Sequence, residues 1–129
     1  MKTQTAVVTW TGAATKSMGA TITSDPFPVK NMITAALAVT VSASSSPVGT
    51  FSVEGCCEEG NDPGTGLNNV SGLTNWVAIP GYTQAITTDG TTIFDMVDVS
   101  VRWLRIVYTR TSGSATAAAR ANVKGGRNG

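Results

Sequence analysis

Two stretches decide the fold of this chain: NMITAALAVTVS at residues 31–42 and ATAAARANVK at residues 115–124. In both, an apolar residue occupies nearly every second position, and side chains two apart lie on one face of a β-strand. The β-branched run Val39–Val41 argues against a helix despite the alanines. We therefore predict two strands, each with one apolar face. The predicted apolar faces comprise Ile33, Ala35, Leu37, Val39 and Val41 in the first strand, and Ala117, Ala119, Ala121 and Val123 in the second.

Shorter alternating stretches extend the strand prediction over the rest of the chain. Turns are predicted at Ser42–Gly49 and Thr111–Ser114, and Asp89–Gly90 is a typical short hairpin turn. The total of about eight strands predicts an all-β, antiparallel two-sheet sandwich, jelly-roll-like, with no significant helix. The other predicted strands are Thr3–Trp10, Met18–Thr23, Phe51–Gly55, Trp76–Ile79, Tyr82–Thr87, Thr91–Val97 and Val101–Thr109.

The length of 129 residues is that of one domain. We predict a single β-sandwich domain over residues 1–124 and a glycine-rich tail over residues 125–129. The first residues do not show the pattern of a signal peptide, and no apolar run reaches the roughly 18 residues of a membrane-spanning helix. We therefore expect the cytoplasm in which the chain is made, or a particle assembled there, as its location.

The composition argues against most kinds of active site. Charged residues are 13% of the chain, the net charge is +1, and there is no histidine. We therefore expect no enzymatic activity, no cofactor, no nucleic-acid partner and no membrane partner. Cys56 and Cys57 are adjacent, a spacing that suits two reduced thiols better than a disulfide or a metal site.

Two groups of residues are candidates for binding. The acidic segment Glu58–Asp62 has oxygen ligands of the kind that calcium prefers, with a solvated loop tip as the simpler interpretation. Tryptophan and arginine are favoured in protein interfaces, and the long loop from Glu58 to Asn75 is of the kind that makes contacts. The predicted assembly interface comprises Trp10, Glu58, Glu59, Asp62, Trp103, Arg105 and Arg127.

Several motifs between residues 51 and 113 resemble those of known proteins. FSVEG at 51–55, GND at 60–62 and NWVAIP at 75–80 are similar to the V-x-G-S-N-D … W-x-x-I/L run of small β-sandwich modules, which discoidin-type carbohydrate-binding domains share. TDGT at 88–91 and RWLRIVYTRTSG at 102–113 resemble a phrase of short phage-encoded virion proteins. The resemblance covers about half of the chain, and its motifs are structural rather than catalytic. CCEE at 56–59 departs from the pattern.

This resemblance implies a head cement or decoration protein of a tailed bacteriophage, of β-sandwich or jelly-roll type. Such a protein binds and stabilises the capsid shell as a dimer or trimer, with the major capsid protein as its partner. It implies a location on the capsid surface of the virion, after assembly in the host bacterial cytoplasm. Two alternatives stay open: a carbohydrate-binding module of a tail appendage, with exposed Trp or Tyr side chains and calcium at the acidic loop, and another head or tail structural protein.

Overall fold

The computed structural model describes residues 3–29, 32–57, 75–96 and 101–125. These residues form eight β-strands and no helix. The strands are β1 (Thr3–Val8), β2 (Thr15–Ser17), β3 (Ile22–Thr23), β4 (Phe27–Pro28), β5 (Met32–Cys56), β6 (Val77–Ile86), β7 (Gly90–Met96) and β8 (Trp103–Gly125).

Two long strands, β5 and β8, form the central pair of the sheet. They pair antiparallel along almost their whole length, from Met32 opposite Gly125 to Cys56 opposite Trp103. The strands β1 to β4 pair with the other edge of β8, and β6 and β7 pair with the other edge of β5, all of them antiparallel. The prediction of an all-β, antiparallel fold is confirmed.

The β5–β8 pair divides into two halves at an irregular central segment. We call the part in which residues 32–42 pair with residues 116–125 the alanine half, and the part in which residues 49–56 pair with residues 103–110 the aromatic half. Between them the register shifts three times. Ala43, Ser46 and Gly113 adopt positive φ angles there, of 52°, 48° and 74°.

The two halves share one hydrophobic core. In each half, the alternating residues expected on the inner face are buried in both long strands, except that the side chain of Ile33 lies outside the described part of the structure. The hydrogen bonds join all eight strands into one continuous sheet, and a core shared by its two halves is compatible with the two-sheet sandwich. The core includes Ala35, Leu37, Val39, Val41, Ala117, Ala119, Ala121 and Val123 from the alanine half, and Phe51, Val53, Leu104, Ile106 and Tyr108 from the aromatic half.

The predicted turns at residues 42–49 and 111–114 are wrong, because β5 and β8 continue through both segments. Ser45 pairs with Ser114 and Val48 pairs with Ser112, so the polar residues keep their ladder partners. Gly113 makes this possible, since a Cβ atom there would overlap the backbone of Ser46. The polar and glycine-rich composition therefore marks an irregularity within two continuous strands.

The predicted hairpin at Asp89–Gly90 is also wrong. Within the described residues β6 pairs with the aromatic half of β5, whereas β7 pairs with the alanine half, and the two do not pair with each other. Residues 87–89 thus carry the chain from one half to the other. The Asp89 carboxylate accepts a hydrogen bond of 3.0 Å from the backbone N–H of Ser44, which ties this connection to the irregular segment of β5.

Candidate assembly surfaces

An arginine–glutamate pair lies on the outer face of the aromatic half. Arg105 of β8 is directly opposite Glu54 of β5, so the sheet itself brings their side chains together. Glu54 Oε1 accepts from Arg105 Nε at 2.7 Å and lies 2.6 Å from Nη2. The Arg105 side chain is 25% exposed and that of Glu54 is 21% exposed, so solvent partly screens the pair and it contributes modestly to stability.

Trp76 covers this pair. The guanidinium carbon of Arg105 lies 4.3 Å from the centre of a Trp76 ring, which is a cation–π contact. Trp76 is half-buried and also packs against Cys56 and Trp103. The result is a fixed cluster of an aromatic ring, a cation and a carboxylate, and we call Glu54, Trp76 and Arg105 the Arg–Trp cluster.

The structure buries the two tryptophans of the predicted interface. Trp103 is 3% exposed, because it lies beneath Trp76 and beside its strand partner Cys56. Trp10 is 1% exposed and belongs to the main core. Neither side chain offers appreciable surface to a partner. Of the seven predicted interface residues, only Arg105 is both described and accessible.

The other four predicted interface residues, Glu58, Glu59, Asp62 and Arg127, lie outside the described residues, and so does the candidate calcium segment. The part of the chain that the structure describes holds no group of three or more His, Cys, Asp or Glu side chains that could bind a metal ion. It also includes no helix with the length and apolar character needed to cross a membrane.

An apolar groove of about 470 Å³ adjoins the Arg–Trp cluster. Val77, at its rim, is among the most exposed large apolar residues of the described chain. Gly55 lines the groove without a side chain, and a Cβ atom at this position would come within 2.9 Å of Val101. The groove is lined by Gly55, Cys57, Asn75, Val77, Ala78, Ile79, Pro80 and Val101.

On the outer face of the alanine half, residues 34–40 of β5 contribute only threonine and alanine side chains, and Arg120 of β8 is exposed among them. One row across it runs through four strands in direct register, from Val7 through Arg120 and Ala38 to Ile93. Its two ends are unusually exposed for large apolar residues, with Val7 at 46% and Ile93 at 65%. The alanine half therefore exposes apolar residues on its outer face as well as burying apolar residues on its inner face.

A second row on the same face contains Thr15, Ala118, Thr40 and Thr91. The hydroxyl oxygens of Thr40 and Thr91 are 3.1 Å apart and share a hydrogen bond. Between the two rows is a shallow depression of about 220 Å³. We call the surface formed by the two rows the alanine–threonine face. The sequence does carry a signal for it, since the outward positions of residues 34–40 are only Thr and Ala, whereas a solvated strand face usually carries charges.

A single ionised side chain, that of Asp25, fixes the conformation of a turn next to this face. The Asp25 carboxylate accepts from the Thr9 hydroxyl at 2.6 Å and from the backbone N–H groups of Thr11 and Gly12 at 3.0 and 2.8 Å. Partial burial alone would raise the pKa of Asp25, but these three hydrogen bonds outweigh it and lower the pKa. The bonds hold the Trp10–Ala13 turn, in which Thr11 and Gly12 have positive φ angles of 52° and 82°.

Tyr108 is the most buried ionisable group of the core. Burial raises the pKa of its hydroxyl, and the nearby charge of Arg110 partly offsets this. Its ring contacts Phe51, with centroids 4.9 Å apart, and fills the space left by Gly49, where a Cβ atom would overlap it. Tyr108 is therefore a packing residue and not a binding platform.

The fold resembles solved structures of low sequence identity. The SPBc2 prophage-derived protein YomS superposes with a TM-score of 0.51 at 12% identity, over 95% of this chain and 92% of that chain. The PBSX exported protein XepA gives a TM-score of 0.58 at 12% identity, over 96% of this chain and 38% of that chain. A structure of the infectious bursal disease virus Gx strain gives 0.49 at 13% identity, over 100% of this chain and 35% of that chain.

At these identities the similarity shows a shared fold and nothing more. Neither a protein-family profile nor a curated protein sequence matches the chain. This β-sandwich-like fold is therefore one that a prophage-derived protein shares over nearly its whole length, even though 88% of the aligned residues differ. The match covers both halves of the β5–β8 pair.

Proposed function

We propose that the chain is a non-enzymatic structural protein of a bacteriophage virion, and that it binds and stabilises the capsid shell as a cement or decoration protein. The observation that carries the proposal is the alanine–threonine face, with exposed Val7 and Ile93 at its ends. The fold shared with prophage-derived YomS supports the phage context. In this proposal the partner is the major capsid protein, the chain is a homo-oligomer, and its location is the capsid surface of the virion.

The chemistry of the alanine–threonine face suits broad contact with another protein surface. Alanine loses no side-chain entropy when it becomes buried, and threonine loses little, so a flat partner can cover the face at low entropic cost. Val7 and Ile93 supply apolar area, and Arg120 in the same row can donate hydrogen bonds to acidic or carbonyl groups of the partner. A stabilising protein needs this kind of extended surface more than a deep pocket.

The test uses isolated phage heads that lack this chain. We expect the purified protein to sediment with such heads and to raise their melting temperature. Ala38→Lys sets a second positive charge directly opposite Arg120 at the centre of the alanine–threonine face and should weaken head binding by at least about tenfold, because a buried unpaired charge is costly. Ala85→Lys is the matched control, since Ala85 is exposed on β6 of the aromatic half, and it should bind heads like the unmodified chain. Equal binding by both variants, or no binding by the unmodified chain, would overturn the proposal.

A second candidate is a carbohydrate-binding module of a phage tail appendage, and the Arg–Trp cluster favours it. The half-buried Trp76 ring lies 4.3 Å from the guanidinium carbon of Arg105, and a sugar ring can stack on an aromatic face while nearby charged groups bond its hydroxyls. Binding on a glycan array that is lost in Trp76→Ala, and kept in Tyr82→Ala, would support this candidate. Sedimentation with phage tails and not heads would instead indicate another virion structural role.

A further inference from the structure

We propose that two copies of this chain pair through the outer edges of their β7 strands, so that the sheet continues from one copy into the other. This inference deepens the homo-oligomer part of the proposed function by naming the surface that the second copy occupies. It can be tested on the purified chain alone, without phage heads, so that its outcome is separate from that of capsid binding.

The first observation is that β7 is an edge strand. Within the part of the chain that the structure describes, Gly90–Met96 pairs with β5 alone, over seven consecutive residue pairs. Phe94 and Met96 are buried, which anchors the inner face of β7 in the core. On the other face Thr91, Ile93 and Asp95 are exposed. An edge of this kind is a template for a further strand.

The second observation is that β7 lacks most of the usual protection of an edge strand, with Asp95 as its single charge. Natural edges are interrupted by proline, lysine, bulges or a change of direction. The described edge strand β6 has such features, because it contains Pro80 and a glycine with a φ of 92°, and its pairing with β5 is shifted between Ser52 and Glu54. In β7 the register with β5 is unbroken, and the sequence GTTIFDM contains neither proline nor lysine.

The third observation is that one pairing register satisfies the chemistry of β7. If the two-fold axis passes through Ile93, all seven residues find a partner, and Ile93 of each copy contacts Ile93 of the other. Asp95 then lies opposite Thr91, whose hydroxyl can donate to the carboxylate. Moving the axis by one residue, to Thr92, would instead place Asp95 opposite Asp89 and bring like charges together.

This pairing also joins the outer faces of the two copies. The row from Val7 through Arg120 and Ala38 ends at Ile93, and across the two-fold axis the same row continues in reverse order. The exposed side chain of Ile93 is thereby covered by its counterpart. The strand edge is only about 23 Å long, well below the extent of a standard interface, so the dimer should be weak and form in the micromolar range.

The experiment measures the mass of the purified chain by sedimentation equilibrium over a range of concentrations. We expect a monomer–dimer equilibrium, and we expect Ile93→Lys to weaken it by at least about tenfold, because it removes the apolar contact and sets two like charges face to face. Val7→Lys is the matched control: the residue lies at the other end of the same row, on β1. It should leave the dimer unchanged.

A strictly monomeric unmodified chain, or a dimer that tolerates Ile93→Lys, would overturn the proposal. An equal loss of dimer affinity in Val7→Lys would also overturn the proposal, because that result indicates head-to-tail pairing of β7 with β1 or packing through the whole face. Circular dichroism establishes that both variants are folded. As an independent measurement, Ile93→Cys in a Cys57→Ser background should form a disulfide-linked dimer under mild oxidation, whereas Val7→Cys in that background should not. Failure of the first to crosslink also counts against the pairing.

Discussion

The alanine half and the aromatic half are built by the same two strands, yet they differ on both faces. Inside, the alanine half contributes small residues such as Ala117, Ala119 and Ala121, whereas the aromatic half contributes Phe51 and Tyr108. Outside, the first carries the alanine–threonine face, whereas the second carries the Arg–Trp cluster. The difference shows that one β-ladder can separate two tasks along its length. We expect the bulky side chains to make the aromatic half the larger contributor to core stability.

The largest expected effect tests this division inside the core. Phe51→Ala removes a fully buried ring that contacts Tyr108 and should lower the free energy of unfolding by about 3–5 kcal/mol. Val39→Ala, at a buried position in the alanine half, should cost about 2 kcal/mol, because it deletes only two methyl groups. Urea denaturation of both variants measures the two values. Equal losses would show that the halves contribute alike.

The next effect concerns the junction between the halves. Gly113→Ala should destabilise the protein by about 3 kcal/mol, because it adds the cost of a positive φ to an overlap with the backbone of Ser46. Gly81→Ala is the matched control, with a φ of 92° and open space around its Cβ position. It should cost only about 1 kcal/mol. If both substitutions lower the stability equally in thermal denaturation, the close approach of Gly113 to Ser46 makes no separate contribution to the stability loss.

A smaller effect comes from the carboxylate next to the alanine half. Asp25→Asn should cost about 1–2 kcal/mol at neutral pH, because the amide replaces a charged acceptor of three hydrogen bonds. The folded-state pKa of Asp25 is lowered, so its contribution is complete above the ordinary value of 3.8 and is lost as the pH falls through the lower, folded pKa.

The measurement for Asp25 is the stability difference between the unmodified chain and the variant, followed from neutral pH into acid. The difference should shrink as the pH falls below the ordinary value of 3.8 and through the lower, folded pKa of Asp25. Asp95→Asn, at an exposed position of β7, serves as the control and should change the stability little. A difference for Asp25→Asn that is independent of pH would contradict the role given to the ionised carboxylate.

The smallest effect compares the two outer faces. Arg105→Lys keeps the charge but loses the guanidinium contact with Trp76 and one of the two donors to Glu54, and should cost about 0.5–1 kcal/mol. Arg120→Lys, on the alanine–threonine face, should cost less than about 0.5 kcal/mol. Tryptophan fluorescence should change only in Arg105→Lys. Identical stability and spectra in both variants would show that the Arg–Trp cluster is not a fixed unit.

Local alternation predicted the buried faces of the long strands well, whereas the predicted strand Met18–Thr23 forms only at Ile22–Thr23, and Trp76–Ile79 and Tyr82–Thr87 belong to the single strand β6. Leu37, Ile106 and Ala119 are buried as their positions indicated, because the side-chain period of a strand depends only on the local backbone. The two predicted turns in β5 and β8 were wrong because glycine and serine mark any irregular backbone, and only the partner strand decides whether the ladder continues. The hairpin at Asp89–Gly90 failed for the same reason, since the choice of partner is not a local property.

The candidate site was less predictable than the fold. Trp103 and Arg105 share one face of β8, so alternation alone could not tell that the first is buried and the second accessible. That outcome depends on Trp76, which is distant from both residues in the sequence and packs over Trp103. The alanine–threonine face was visible in the sequence only as a lack of charge at the outward positions of residues 34–40.

The sequence by itself determined the secondary structure class, the inward and outward faces of the long strands, and the absence of histidine chemistry. The tertiary structure alone decided that β5 and β8 continue through their irregular central segment, that β6 and β7 join different halves of β5, and that Ile93 ends an exposed row on a strand that is at the edge of the sheet among the described residues. The physical reason is that alternation is fixed by the backbone of each strand, whereas pairing and exposure depend on which distant segments compete for the same edge or face.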